Sequence, residues 1–387
     1  MIQKENLTIC YFADGRSVHT RRWIKFCVEQ GHEMHLISFA PMTERNVADL
    51  EELGVKCHGE VVNFHIKKLW LTLGEIKKIR NILSREKIEI LHCHYLGINA
   101  WFAALTGFHP FVITIMGGGD VVGENWKPNS SRRERFLTPL ALRRADLITS
   151  WSPLMANIIK PYCRPETPIE VIHGGIHLEN FYDGEKPKHL LEKWSIPVDA
   201  KIIFSPRLMR PLSNIHQIAN ASHEISAKFP NTFYVVAFPN TVVDGEYAEK
   251  VKQIFAESPA KDKVRFVSEI AHNEIADYFR LADVTVSIAA TDGTPMTVME
   301  SMACETPTVM GNLSDYDKRY FEDHKTTLMI DINEPHEVAQ ATIELFQNAE
   351  LRDKIVKEAR KRVEETGSYE TQMLKMDKLY KDLVKKK

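Results

Sequence analysis

Little in this sequence is skewed, and each missing bias removes a class of function. Lysine and arginine number 50 against 52 aspartates and glutamates, a formal net charge of −2 over 387 residues. Without an excess of one sign, the chain offers no global footprint for nucleic acid or for acidic partners. Cysteine is scarce, and none of the six (Cys10, Cys27, Cys57, Cys93, Cys163, Cys304) falls in a Cys-x-x-Cys pair. Scattered thiols in apolar or helical surroundings are expected to be reduced and buried in a cytoplasmic protein. There is no Gly-x-Gly-x-x-Gly, so the dinucleotide fingerprint is missing. The most apolar region, 95–116, is broken by Asn99, Gly107, His109 and Pro110 and reads as helix, turn and strand, not a membrane span. The polar start, Met1 to Asn6, carries no expected signal peptide. A peripheral contact with the inner membrane face stays open.

What is present is a regular alternation of strand and helix patterns, with a length that suits two domains of about 150–200 residues. One stretch organises the rest. Ala282-Asp283-Val284-Thr285-Val286-Ser287-Ile288 is a β-branched run that reads as a buried strand. The stretch from Thr291 to Ala303 reads as a glycine-containing loop followed by a helix. Thr306 to Met310 is a second strand. Thr294 is the expected N-cap, with Pro295 at the first helical position. The amides of Met296, Thr297 and Val298 then face forward as an anion site, with diphosphate the natural anion. Asp292 stands ahead of the helix and Glu300 about two turns in.

These residues resemble the nucleotide-sugar site of glycosyltransferase family 4, in which two acids are separated by seven residues. Here the pair is Asp292 and Glu300, followed by Ser301-Met302-Ala303, so the first acid is one methylene shorter. The resemblance implies an α/β chain with the GT-B fold, two Rossmann-like domains facing across a cleft. It implies a retaining glycosyltransferase that moves a sugar from a nucleotide-diphosphate sugar to a glycan, lipid-linked or small-molecule acceptor. The nucleotide sugar is then a co-substrate, with no separate cofactor and no metal. The implied domains are 1–185 for the acceptor and 186–369 for the donor, with a last helix, 370–387, packing back on the first. Two other readings stand beside it: a binding or scaffold protein with a decayed site, and another GT-B enzyme, a sugar-nucleotide epimerase or a phosphorylase.

The resemblance also distributes roles along the chain. Gly15 lies in the first strand-to-helix loop, which relatives place beside the donor phosphate and the acceptor; Arg16 and His19 come after it, either turned toward the ligand or solvated. His94 and Tyr95 end a strand as acceptor contacts, or His94 is a packed strand histidine. Gly117, Gly118 and Asp120 match the acceptor-side glycine loop, but Met116 stands where many relatives carry histidine. Arg207 matches an arginine that grips the diphosphate. The lysine expected five residues on is Leu212, and Arg210 is the candidate substitute. Backbone near Ser268, Glu269 and Ile270 is implied to hold the nucleobase. Glu300 is implied to hold the ribose, and Asp292, with Gly293 and Thr294, the sugar. Asp292, Glu300 and Arg207 are the expected catalytic set. Oligomeric state, base, sugar and acceptor are not implied.

One helix carries a separate expectation. Residues 67–86 read as amphipathic, with Leu69, Leu73, Ile76, Ile79 and Leu83 on the buried stripe. The lysines beside it form either a solvated face or a patch for anionic lipid.

Overall fold

The computed structural model describes residues 6–61, 69–116, 132–238, 244–268, 270–271, 273–314 and 316–385. Two compact units divide the chain: Met1–Gly174 with Gln372–Lys387, and Gly175–Thr371.

In the first unit, strand and helix alternate: β1 (Thr8–Ala13), α1 (Val18–Glu29), β2 (Glu33–Ser38), α2 (Glu44–Glu52), β3 (Lys56–Glu60), α3 (Leu69–Arg85), β4 (Ile90–His94), α4 (Ile98–Thr106), β5 (Phe111–Ile115), α5 (Arg132–Arg144), β6 (Leu147–Ser150), α6 (Pro153–Ile159) and β7 (Ile169–Val171). The strands form one parallel sheet in the order β3-β2-β1-β4-β5-β6-β7. Strand order therefore reverses between β1 and β4, the point in such sheets where ligands bind beyond the strand ends.

The second unit repeats the plan with α7 (Lys188–Lys193), β8 (Lys201–Ser205), α8 (Ile215–Lys228), β9 (Thr232–Ala237), α9 (Gly245–Ala256), β10 (Val264–Val267), α10 (Ile275–Leu281), β11 (Val284–Ser287), α11 (Met296–Ala303), β12 (Thr308–Gly311), β13 (Leu328–Ile330), α12 (Pro335–Gln347) and α13 (Ala349–Arg362). Its parallel sheet runs β10-β9-β8-β11-β12-β13, reversing between β8 and β11. Successive strand residues point to opposite faces. Ile202 and Phe204 enter one core with α10, α11 and α13, while Ile203, Val284 and Val286 enter another with α8, α9 and α12. Both faces are covered, which is why these strands read as continuous apolar runs. The boundary expected between residues 185 and 186 falls inside this unit, which begins at Gly175, and Lys186 pairs with Asp283 there at 2.6 Å.

The last helix, α14 (Tyr369–Lys385), packs on the first unit from Gln372 onward. Tyr380 Oη lies 2.8 Å from Tyr11 Oη and 2.5 Å from His92 Nδ1, all fully buried. The Leu7 amide donates to His32 Nδ1 at 3.0 Å, which puts the ring proton on Nε2, where it meets Asp377 Oδ1 at 2.6 Å. His92 Nε2 reaches Thr114 Oγ1 at 2.6 Å. Burial lowers the His92 pKa from 6.5 to about 3, so the folded ring is neutral. Below pH 6.5 the unfolded chain binds a proton that the folded chain refuses until about pH 3, so stability falls as pH drops through that window. His94, His35, His58 and His216 are shifted in the same direction, burial being the first cause. The urea midpoint is expected to fall between pH 7.5 and pH 5, with a shallower dependence in His92→Asn; an unchanged slope in that variant would remove His92 from the account.

The stripe expected on α3 is only partly right. Ile76, Ile79, Ile82 and Leu83 are buried, and so is Thr72, but Leu73 is 56% exposed. The buried row runs through 72, 76, 79 and 83, spacings of four, three and four. Leu73 lies off it beside Trp70 (66% exposed) and Leu71 (41%).

Candidate active site

The stretch around Asp292 sits at the carboxyl end of the second sheet, at its reversal point. The loops leaving β8 and β11 are stitched together there. The Ala290 amide donates to the Leu212 carbonyl at 2.8 Å, and Asn214 Nδ2 to the Ile288 carbonyl at 3.2 Å. Asn214 adopts φ +53, a left-handed turn that asparagine tolerates well. Across the same gap, Arg207 Nη1 lies 2.8 Å from Asp292 Oδ2. Two residues far apart in sequence thus meet because β8 and β11 are neighbours.

α11 is held rigidly behind this pair. Val298, Met299, Met302 and Ala303 are buried in the core. Ser301 Oγ lies 2.8 Å from Thr285 Oγ1 on β11 and 3.0 Å from the Thr306 carbonyl. The Arg360 guanidinium donates to the Ala303 carbonyl at the other end of the helix, a favourable place for a cation.

The start of α11 differs from expectation in two respects. Pro295, not Thr294, is the N-cap, and no side chain caps the helix. The Val298 amide is already engaged with the Pro295 carbonyl at 3.0 Å, so Val298 is corrected out of the forward-facing set, leaving Met296 and Thr297. Freed from capping, Thr294 Oγ1 is buried without a hydrogen-bond partner, and so are Thr297 Oγ1 and Ser205 Oγ, the last at the end of β8. Buried hydroxyls are ordinarily satisfied, so these three are free to hydrogen-bond a polar group brought to this end of the sheet.

Of the other expected donor residues, Arg210 is exposed, and its side chain has no partner among the described residues. Leu212, at the position of the missing lysine, is 52% exposed in a short turn and contributes its backbone carbonyl, not a charge. Gly293 is partly buried in the loop, and Glu300 is partly buried in the second turn of α11. Ser268 is exposed just after β10, Ile270 packs against the core, and Glu269 lies outside the described residues.

Sequence reasoning missed Tyr316, beyond β12. It is buried, and its phenol is pushed above the usual range first by burial and then by the Asp292 charge, with Arg207 opposing. It therefore lies close enough to feel both members of the ion pair. Ser205 was missed as well; its only signal was a hydroxyl following the apolar run Ile202-Ile203-Phe204.

On the first unit, Gly15 is buried after β1, and its carbonyl accepts from Arg21 Nε at 3.1 Å. Arg16 is exposed and paired with Asp14 at 2.8 Å. His19 is exposed and meets the Trp151 ring edge-on at 4.8 Å. Tyr95 has φ +74, an uncommon backbone state for a side-chain-bearing residue, and its hydroxyl lies 3.3 Å from Ser17 Oγ across the β1/β4 reversal. His94 is not displayed at the strand end: it is fully buried, with Nδ1 3.2 Å from Thr20 Oγ1 and its ring against Tyr11 and Trp23. The expectation that it touches an acceptor is corrected to a packed ring. Gly117, Gly118 and Asp120 lie outside the described residues. Among the described residues, no cluster of three or more His, Cys, Asp or Glu side chains could hold a metal ion, and no helix is long and apolar enough to cross a membrane.

Two parallel sheets, each with a strand-order reversal, make up the α/β layout of the GT-B fold class, and an arginine and two acids lie about the helix start at the second reversal. The family models named Glycosyltransferase Family 4 and Glycosyl transferases group 1 match residues 13–180 and 188–362. The chain belongs to this glycosyltransferase family and is a glycosyltransferase. It is 21% identical to the N-acetyl-alpha-D-glucosaminyl L-malate synthase of Bacillus anthracis, covering 93% of this chain and 92% of that one. It is likewise 21% identical to a D-inositol 3-phosphate glycosyltransferase of Pseudarthrobacter chlorophenolicus, over 92% and 87% of the two chains. In fold it matches a glycosyltransferase from Rickettsia africae with a TM-score of 0.80 at 18% identity, covering 99% and 100% of the two chains. It also matches Anabaena HepE, crystallised with UDP and glucose, with a TM-score of 0.75 at 13% identity over 98% and 100%.

Proposed function

We propose that the protein is a retaining glycosyltransferase whose donor is a nucleotide-diphosphate sugar bound by the second unit. The observation that carries this reading is the end of that unit's sheet, where Arg207, the Met296 and Thr297 amides and the Thr294 and Thr297 hydroxyls converge around the start of α11. Arg207 and those donors stabilise the charge that grows on the leaving diphosphate, commonly the largest catalytic term. Glu300 holds the ribose diol and Asp292 the sugar hydroxyls. The acceptor hydroxyl oxygen bonds to the anomeric carbon as the bond from that carbon to the phosphate oxygen breaks. The departing phosphate takes the acceptor proton, so no side chain need serve as base. Retention results from attack on the face the phosphate leaves. Arg16, His19 and Tyr95 of the first unit are the proposed acceptor-side residues.

A thermal-shift screen against UDP-, GDP- and ADP-sugars, followed by product analysis, tests the reading. A shift with one class and transfer with unchanged anomeric configuration by NMR are expected. Inverted product would overturn retention, and an altered sugar nucleotide formed without any acceptor would indicate an epimerase.

The exposed Trp70, Leu71 and Leu73 on α3, with Lys77 and Lys78 also exposed on that helix, favour an acceptor held at a membrane surface. Trp70→Ser with Leu73→Ser is expected to reduce sedimentation with anionic vesicles at least ~3-fold. Equal binding by the double variant would withdraw the membrane contact and leave the transfer reading intact.

A further inference from the structure

The donor reading assigns Arg207 to the diphosphate and Asp292 to the sugar, and the inference drawn from their ion pair rests on that reading. In the structure each is instead the other's ion-pair partner. Nη1 and Oδ2 are 2.8 Å apart, and the side chains are 21% and 19% exposed. Among the described residues neither has a second ionic partner. The pair joins the loops of β8 and β11, already fixed by the Ala290–Leu212 and Asn214–Ile288 hydrogen bonds, so neither side chain is free to drift into bulk water without leaving its partner half-buried.

We propose that this ion pair is an internal stand-in for the donor, opened readily only by a ligand that brings both a diphosphate for Arg207 and sugar hydroxyls for Asp292. A nucleoside diphosphate meets half of that requirement. It occupies the guanidinium but strips Asp292 of its counter-charge, leaving a partly buried carboxylate unpaired near a polyanion. A nucleotide sugar replaces what it removes, because its hydroxyls donate charge-assisted hydrogen bonds to the freed carboxylate. The site thereby discriminates the donor from the nucleoside diphosphate left after transfer. When the sugar departs, Asp292 competes for Arg207 again and promotes product release. A ligand shifts such an equilibrium only by its differential interaction with the open and closed pair, which here is the sugar.

Calorimetric titration of the wild type and Asp292→Asn with UDP and UDP-glucose, GDP and GDP-mannose, and ADP and ADP-glucose tests this. The wild type is expected to bind one sugar nucleotide more tightly than its parent diphosphate. Asp292→Asn is expected to bind that diphosphate about three- to tenfold more tightly than the wild type, the scale of a partly screened ion pair. It should bind the sugar nucleotide no more tightly, so the preference disappears. Asp292→Glu, which keeps the charge, should leave diphosphate affinity near the wild-type value. Should Asp292→Asn melt early, Asp292→Ser carries the same expectation. Wild-type binding of a diphosphate with no gain in the neutral variants would overturn the stand-in and leave the donor site standing. No binding of any of the six nucleotides by the wild type would overturn both.

Discussion

Replacing Arg207 with alanine is expected to lower kcat/KM for sugar transfer by ~2–4 kcal/mol of transition-state stabilisation, about 30- to 1,000-fold. Leu212 removes the lysine that relatives place nearby, and the exposed Arg210 side chain on the same loop has no partner among the described residues. Among those residues Arg207 is thus the one cation paired with Asp292 at the β8/β11 reversal. Its planar fork can grip two phosphate oxygens at once, which a lysine cannot, so Arg207→Lys should recover only part of the loss. The effect should fall on kcat as well as on KM, because diphosphate charge is greatest as the sugar bond breaks. Turnover of the alanine variant within threefold of wild type, a loss of about 0.6 kcal/mol, would assign the phosphate to other groups.

Glu300→Ala is expected to abolish donor binding. Glu300 lies four residues beyond Met296 and three beyond Thr297, so it shares their helical face. The helix beneath it cannot readily turn away, because Val298, Met299 and Met302 are buried and Ser301 is tied to Thr285. A carboxylate accepting both hydroxyls of a ribose diol makes two charge-assisted bonds worth about 1.5–3 kcal/mol each, so affinity should fall more than ~100-fold. Glu300→Gln keeps one acceptor oxygen and should lose less. Unchanged nucleotide affinity by calorimetry in Glu300→Ala would remove the ribose role.

The fold was legible wherever apolar runs were both buried and bounded. The core of Ala282–Ile288 read directly as a strand because its β-branched run suits a parallel strand covered on both faces, and Glu33–Ser38 because its short apolar stretch follows the turn at Gly31. The same logic misplaced Leu73. A helix with several apolar residues in its first turns offers more than one plausible stripe, and contact with the sheet selects one. At the candidate site, the spacing of Asp292 and Glu300 and the position of Arg207 were visible in the sequence. That Arg207 and Asp292 pair was not, since it depends on β8 and β11 becoming neighbours through a crossover. The capping role fell to Pro295 because the chain enters α11 with Thr294 turned inward, a backbone choice that residue preference does not encode. Tyr316 was invisible for a related reason: it feels the charges of the ion pair from a loop beyond β12, with no motif around it. His94 resembled a displayed residue only because it ends a strand, and the packing of Tyr11 and Trp23 over it decided otherwise.

The central claim is that a donor diphosphate docks at the start of α11. A crystal structure of the protein with its preferred nucleotide sugar tests it most directly. The expected density places phosphate oxygens within hydrogen-bond distance of the Met296 and Thr297 amides, the Thr294 and Thr297 hydroxyls and the Arg207 guanidinium, with Asp292 released toward the sugar. A diphosphate bound elsewhere, with the Arg207–Asp292 pair still closed, would contradict the account.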